Sequence, residues 1–466
     1  MSKTYKFKTK PDAHQIAALK NAMEKRRYGI FFQQRVGKTK VAIDFCGAML
    51  LKEWSNKIMI VCPLSVRTEW VAQLKDHFPF EYDVYLYPST KAKRAKLLED
   101  TERVSKATFI ILNYDILSND LEELKEWCPH TLIFDESHLI GHYNSKRSKA
   151  AAKLGKTAKN VLLLTGTPIP KKWYHIYGQF RAMDDRIFGT NWHKFVNKWG
   201  IKGGYMGKEI VGCNDMEKLS RIIADNSIRV LRKDVFDEPQ VENVLIPVTL
   251  KDSTRAMYDN LRTTFILELS KADVVTADLA ITRMMRLQQL CGGFIKTDTG
   301  EMLNVGSEKI DTLVDLVNTK YEGNEQVVIF HRYRAEGQEI VNRLSKFCKV
   351  AEINGSVDEA ERKKARDKFQ AGELDAIVIQ ISTGGMGISL DRAHINIFYS
   401  LDFSLSNLQQ ARDRVMGRNQ KTDVTNYFLA ASQTMDEKVM RTLKNDEDVA
   451  SKISDNWRWV LEEDAE

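Results

Sequence analysis

No stretch of this 466-residue chain approaches the roughly 18–20 consecutive apolar residues that a membrane span requires. The start, Met1-Ser2-Lys3-Thr4-Tyr5-Lys6, leads into no apolar leader core. Membrane partnership and secretion are therefore disfavoured, and the expected setting is the reducing cytoplasm of a cell. Cysteine is sparse as well. Its six positions (Cys46, Cys62, Cys128, Cys213, Cys291, Cys348) form no Cys-x-x-Cys pair, which argues against a zinc module or a disulfide framework and leaves buried, reduced thiols. An excess of one charge is missing too: 70 Lys and Arg against 63 Asp and Glu give a net +7. That value suits a polyanionic partner and an ordinary cytosolic enzyme equally well, so alone it decides nothing. Long low-complexity runs are absent, and 43% hydrophobic with 29% charged residues is the composition of a folded chain.

What is present is length for two α/β domains, at roughly 100–200 residues each. Short apolar, β-branched runs at Tyr28–Phe32, Ile58–Cys62, Thr108–Leu112, Thr131–Phe134 and Val161–Leu164 alternate with amphipathic stretches. Such runs read as buried parallel strands joined by crossover helices. A second set follows at Val327–Phe330, Lys349–Ile353, Ala376–Gln380, Ile395–Tyr399 and Val424–Phe428. Between the sets, from about Trp173 to Glu308, the pattern reads as connecting and protruding helices. The expected division is 1–232, with a helical insertion from about 171, then 233–445, with a helical protrusion to about 305. The remainder, 446–466, is a polar, acidic packing tail carrying Trp457 and Trp459.

Two segments carry chemistry. Phe31-Phe32-Gln33-Gln34-Arg35-Val36-Gly37-Lys38-Thr39 follows an expected strand and precedes a helical pattern. A nucleoside triphosphate needs N–H groups at a helix N-terminus, a lysine against phosphate and a hydroxyl on magnesium, and Gly37, Lys38 and Thr39 supply these. The usual first glycine of such a loop is replaced by Phe32. The second segment, Leu132-Ile133-Phe134-Asp135-Glu136-Ser137-His138, ends a buried strand in adjacent carboxylates. At the carboxyl end of a parallel strand Asp135 can hold magnesium while Glu136 polarises the attacking water.

Asp-Glu-Ser-His after an apolar strand, Gly-Lys-Thr upstream and Leu164-Thr165-Gly166-Thr167-Pro168 downstream resemble the motifs of superfamily 2 helicases, in order and spacing. Leu231-Arg232-Lys233-Asp234-Val235 with Glu238-Pro239, Leu287-Gln288-Gln289-Leu290-Cys291 and Ser307-Glu308-Lys309-Ile310 narrow the resemblance to the Swi/Snf-like ATPases. Ile381 to Leu390 and Gln409 to Gln420 look like that family's last two motifs. The likeness spans nearly the whole chain. It implies two tandem RecA-like domains with parallel sheets, ATP and Mg2+ as cofactors, and a monomer that translocates on duplex or branched DNA without reading its sequence. Without a histone-reading, zinc or nuclease module, the chain is most similar to the compact members of bacteriophages and bacteria. Repair of branched intermediates, alongside replication or recombination proteins, is the matching expectation.

Carried over by position, Gln15 would read adenine, Lys38 and Thr39 would hold phosphate and magnesium, and His138 and Thr165 would couple that site to nucleic acid. Gln410 falls with the nucleotide-binding residues. Arg414 and Arg418 are the candidates for positive charge delivered to the γ-phosphate. They stand four apart where the family pair is three apart, with Gly417 at the expected place. Arg35 replaces a loop glycine, and Asp402-Phe403-Ser404-Leu405 stands where the family tends to carry Trp-Asn-Pro. Expected DNA contacts are Pro63, Ser65, Asn113, Tyr114, His331, Ser382, Thr383 and Gly384, in loops that would bind phosphates. The clusters Lys91–Lys96 and Arg362–Arg366 read first as solvated helix faces. The rival readings are an RNA helicase, a non-hydrolysing scaffold that binds nucleic acid, and a translocation subunit serving a separate nuclease.

Overall fold

In the computed structural model the described residues are 5–52, 55–169, 172–203, 209–237, 239–271, 277–296, 301–383, 390–416 and 420–445. The chain divides into two units, 1–237 and 238–466. Within the first, the backbone N–H of Arg232 donates to Gln33 Oε1 at 2.9 Å.

The first unit contains β1 (Arg27–Phe32), β2 (Lys57–Cys62), β3 (Tyr82–Leu86), β4 (Ala107–Asn113), β5 (Thr131–Asp135), β6 (Asn160–Leu164), the hairpin β7 (Gly200–Gly203) and β8 (Glu209–Cys213), and β9 (Ser227–Val230). Seven of these form one sheet in the order β3-β4-β2-β5-β6-β1-β9, paired in parallel throughout. Successive side chains of a strand point to opposite faces. Tyr28, Ile30 and Phe32 of β1 therefore join Ile58, Ile60, Leu162 and Leu164 in one buried cluster. Phe31 joins Met59, Val61, Leu132, Phe134 and Leu163 in another. Helices cover both faces, which is why these strands read as unbroken apolar runs.

The second unit contains β10 (Val241–Val248), the hairpin β11 (Phe294–Lys296) and β12 (Met302–Asn304), β13 (Val327–His331), β14 (Val350–Ile353), β15 (Ala376–Gln380), β16 (Ile395–Phe398) and β17 (Val424–Ala431). Its six-stranded sheet runs β10-β17-β16-β13-β15-β14, again in parallel. Both units thus have the doubly wound α/β architecture expected of tandem RecA-like domains.

The segment from Trp173 to Glu308, expected as connecting and protruding helices, holds more than helices. It does contain the long helices Asp252–Lys271 and Ala277–Cys291, but also two hairpins and the strands β9 and β10 that border the two sheets. Pro247 sits in β10, where an edge strand tolerates the missing N–H.

Candidate nucleotide site

Because β5, β6 and β1 are neighbours in that order, their carboxyl ends bring three loops together. The end of a parallel sheet is where open α/β folds receive ligands. After β1 the chain passes Arg35 at φ 68 and Gly37 at φ 85 before entering the helix Lys38–Leu51. The first N–H groups of that helix have no intrahelical acceptor and sit at the positive end of its dipole, so they favour an anion. Gly37 is required twice over: its φ is left-handed, and a Cβ there would collide with the Gln15 carboxamide.

Lys38 is largely buried. Its Nζ donates to Gln34 Oε1 at 2.9 Å and lies 3.6 Å from Glu136 Oε1. Gln34 Nε2 in turn donates to Glu136 Oε1 at 2.9 Å. Glu136 occupies the left-handed region at φ 51, a conformation that costs a non-glycine residue about 1–3 kcal/mol and that surrounding contacts must hold. On its other side, Glu136 Oε2 is 3.3 Å from His138 Nδ1, and that nitrogen is 3.0 Å from Thr165 Oγ1 at the end of β6. His138 thus bridges Thr165 and Glu136.

Asp135 is held from two sides. Its Oδ2 accepts from the Trp70 indole at 2.9 Å and its Oδ1 from the Glu136 backbone N–H at 3.0 Å, while its carbonyl accepts from the Tyr114 hydroxyl at 2.7 Å. Burial, with the Glu136 charge adding to it, pushes the Asp135 carboxyl up. Burial alone would raise Glu136 as well, but Lys38, His138 and Gln34 together hold it below the usual carboxylate range. The adjacent acids are therefore split: Glu136 stays ionised and Asp135 accepts a proton more readily. A divalent cation beside Asp135 would reverse that preference. Together with the Thr39 hydroxyl in the first turn of the helix, this donor set fits magnesium.

Gln15 is buried instead of exposed. Its Oε1 accepts from Asp12 N at 2.9 Å, which completes the cap of the helix Ala13–Lys25 and places the amide against Gly37.

The remaining expected residues are distributed unevenly. Ser65 is exposed in the turn Leu64–Val66 and Pro63, just before it, is half-buried. Ser382 is exposed in the turn Ile381–Thr383, and Gly384 lies outside the described residues. Three of the expected contacts, Asn113, Tyr114 and His331, have buried side chains. The Tyr114 hydroxyl donates to the Asp135 carbonyl and so braces the site. His331 has no exposed surface. Its Nδ1 lies 2.9 Å from the Tyr333 carbonyl, and burial lowers its pKa to about 4, so it is a neutral core residue. Arg414 is buried just past the helix Leu405–Arg412, its carbonyl accepting from Leu390 N at 2.9 Å, and Gln410 is half-buried on that helix. Arg418 lies outside the described residues.

Trp70 and Gln34 emerge only from the structure. An indole on an amphipathic helix signals a polar tip in need of a partner but does not name it.

This arrangement defines a class: a two-unit protein of the helicase type, with a phosphate-binding loop, an acid pair and a threonine–histidine link on three adjacent strand ends. The model of the SNF2-related domain matches residues 14–293, and that of the helicase conserved C-terminal domain matches 308–419. The chain belongs to the SNF2-related family. Among its relatives is the SWI/SNF-related matrix-associated actin-dependent regulator of chromatin subfamily A-like protein 1 homolog of Caenorhabditis elegans, 27% identical over 409 residues that cover 85% of this chain and 55% of the relative. Another is YwqA of Bacillus subtilis, assigned to the ATP-dependent helicases and translocases, 24% identical over 87% of this chain and 44% of its own length. The chain therefore spans about half the length of these relatives. The SWI2/SNF2 ATPase core of Sulfolobus solfataricus, solved with duplex DNA, is 21% identical with a TM-score of 0.46 over 99% of both chains.

Proposed function

We propose that this protein is a DNA-dependent ATPase that converts hydrolysis into movement along duplex or branched DNA. One observation carries the reading: Glu136 lies 3.6 Å from Lys38 and is tied through His138 to Thr165. Once phosphate draws Lys38 away, that carboxylate is freed to orient the attacking water and take its proton, while Lys38 meets the charge of the transferred phosphoryl group. Thr39 and Asp135 are the residues that would hold magnesium, which neutralises phosphate charge when bound. Gln15, at the loop, is suited to the adenine edge because an amide offers both donor and acceptor. Arg414, with Arg418, is the candidate for further positive charge at the γ-phosphate. Ser65 and Ser382 are exposed hydroxyls suited to phosphate contacts that position a strand without reading it. The relatives' names favour DNA transactions, and remodelling of branched DNA by a monomer, with replication or recombination proteins as partners, is the transaction we favour.

The test is steady-state ATP hydrolysis by the wild type and Glu136→Gln with no nucleic acid, single-stranded DNA, duplex DNA, a branched junction, or RNA. Stimulation by duplex or branched DNA that disappears in the variant is expected. Preference for RNA would make the protein an RNA helicase, and hydrolysis under no condition would make it a binding scaffold.

A further inference from the structure

We infer that Gln34 is a built-in occupant of the γ-phosphate position, so that its side chain competes with a triphosphate and leaves a diphosphate unopposed. The inference rests on the reading of the first unit as an ATP site.

The carboxamide of Gln34 spans Lys38 and Glu136. Its oxygen accepts from Lys38 Nζ at 2.9 Å and its nitrogen donates to Glu136 Oε1 at 2.9 Å. Which end of an amide is oxygen is ordinarily an assignment, but here the partners dictate it: an ammonium only donates and a carboxylate only accepts. Both bonds are charge-assisted, the stronger class.

The lysine of a phosphate loop reaches the β- and γ-phosphates, while the acid after the strand faces the water that attacks the γ-phosphorus. The space between Lys38 and Glu136 is therefore the γ-phosphate's. Those two atoms are 3.6 Å apart. A phosphoryl group about 2.7–2.9 Å from Lys38, with the attacking water between it and Glu136, has no room there. Triphosphate binding must part the pair and break both bonds of Gln34. A diphosphate ends short of this position, so the bridge persists. After hydrolysis, reclosure of the bridge opposes rebinding of phosphate.

The neighbouring Gln33 has a different duty. Its Oε1 accepts from Arg232 N at 2.9 Å and so fixes the turn to the end of the unit. Removing the Gln34 amide therefore leaves the loop anchored.

The experiment measures the affinity of the full chain for ADP and for a non-hydrolysable ATP analogue, in the wild type and in Gln34→Met, which keeps length and loses both hydrogen bonds. Gln34→Ala serves as a second variant, and circular dichroism confirms that each is folded. The expected result is a roughly three- to tenfold tightening of the analogue, the size of one or two net hydrogen bonds, with ADP changed less than twofold. An unchanged ratio, an equal gain for both nucleotides, or weaker binding of the analogue would overturn the inference while leaving the ATP-site reading intact. Failure of the wild type to bind either nucleotide would remove both.

Discussion

Both units bury charge at the ends or flanks of a parallel sheet, yet they use it differently. In the first, Lys38, Asp135 and Glu136 lie at the carboxyl ends of neighbouring strands, and the pair of acids is split by its surroundings. In the second, Lys309 on the helix Glu308–Glu322 is paired with Asp436 on the helix Met435–Lys444, and both side chains are almost wholly buried. Glu336 there accepts the backbone N–H groups of Arg332 at 3.1 Å and Tyr333 at 3.0 Å as well as the Ser400 hydroxyl. Those charges tie helix to helix and cap the start of the helix Arg334–Leu344. The same burial thus serves ligand chemistry in one unit and internal bracing in the other. What separates the two cases is the local balance: the adjacent acids Asp135 and Glu136 share one nearby lysine and leave a demand for a cation, whereas Asp436 has Lys309 and Glu336 has three donors to itself.

The largest expected effects set the two uses against each other. Glu136→Gln should lower kcat at least about 10²-fold, the range for a lost general base, while the unfolding free energy holds steady because a charge adjacent to Asp135 has been removed. Lys309→Met should do the reverse, lowering the unfolding free energy by about 3–5 kcal/mol by leaving Asp436 buried without its partner. Its turnover should remain near wild type at temperatures where it is folded. Paired denaturant titrations and ATPase assays check both, and the comparison breaks if either variant shows the other's pattern.

Titration of the second unit's core should have two signs. His331 is lowered by burial from 6.5 to about 4. Below pH 6.5 the unfolded chain binds a proton that the folded one refuses, so its stabilising contribution, on the order of 3 kcal/mol, is lost as pH falls from about 6.5 to 4. Glu336 is raised by burial from 4.5 to about 6. Its contribution is present below pH 4.5 and is lost as pH rises to about 6, by about 2 kcal/mol. Unfolding of His331→Asn and Glu336→Gln across pH 4–7 should remove one slope each. A variant that leaves its own slope unchanged would show that the group does not differ between folded and unfolded states.

Much of this was legible in the sequence because buried parallel strands are written as unbroken apolar runs, and because charged residues directly after such runs have few reasons to be there. Lys38, Asp135 and Glu136 were found that way. The edge strands were harder. Tyr82–Leu86 is mostly half-exposed, and Val241–Val248 is exposed over its first three residues, with Glu242 and Asn243 adjacent and Pro247 near its end, so neither resembles a core strand. The braces were invisible, since Trp70 reaches Asp135 across 65 positions and Gln34 reaches Glu136 across 102. Motif position misled at His331, whose loop placement suggested DNA although its ring is in the core. Trp70→Phe sharpens the point: it keeps the ring and deletes one donor to Asp135. A several-fold lower kcat with a higher half-saturating Mg2+ concentration is expected, the scale of one hydrogen bond to a charged group. An unchanged Mg2+ dependence would make the indole a packing residue alone.

The smallest effect separates functional from incidental strain within the first unit. Glu136 at φ 51 and Cys128 at φ 52 share the left-handed conformation. Glu136 is held there by Lys38, Gln34 and His138. Cys128 is exposed and ends the helix Leu121–Trp127 at the position where glycine is commonest. Its thiol makes a long contact with the Thr157 carbonyl, at 3.9 Å. Cys128→Gly should therefore raise the unfolding free energy by about 0.5–1 kcal/mol, read as a small rise in Tm, with ATP turnover unchanged. Glu136→Gly relieves the same conformation but deletes the carboxylate, so any gain in Tm should come with loss of turnover. A fall in turnover in Cys128→Gly would mean that the helix end at 128 is mechanically connected to the site, and strain in this unit would then have to be treated as one system.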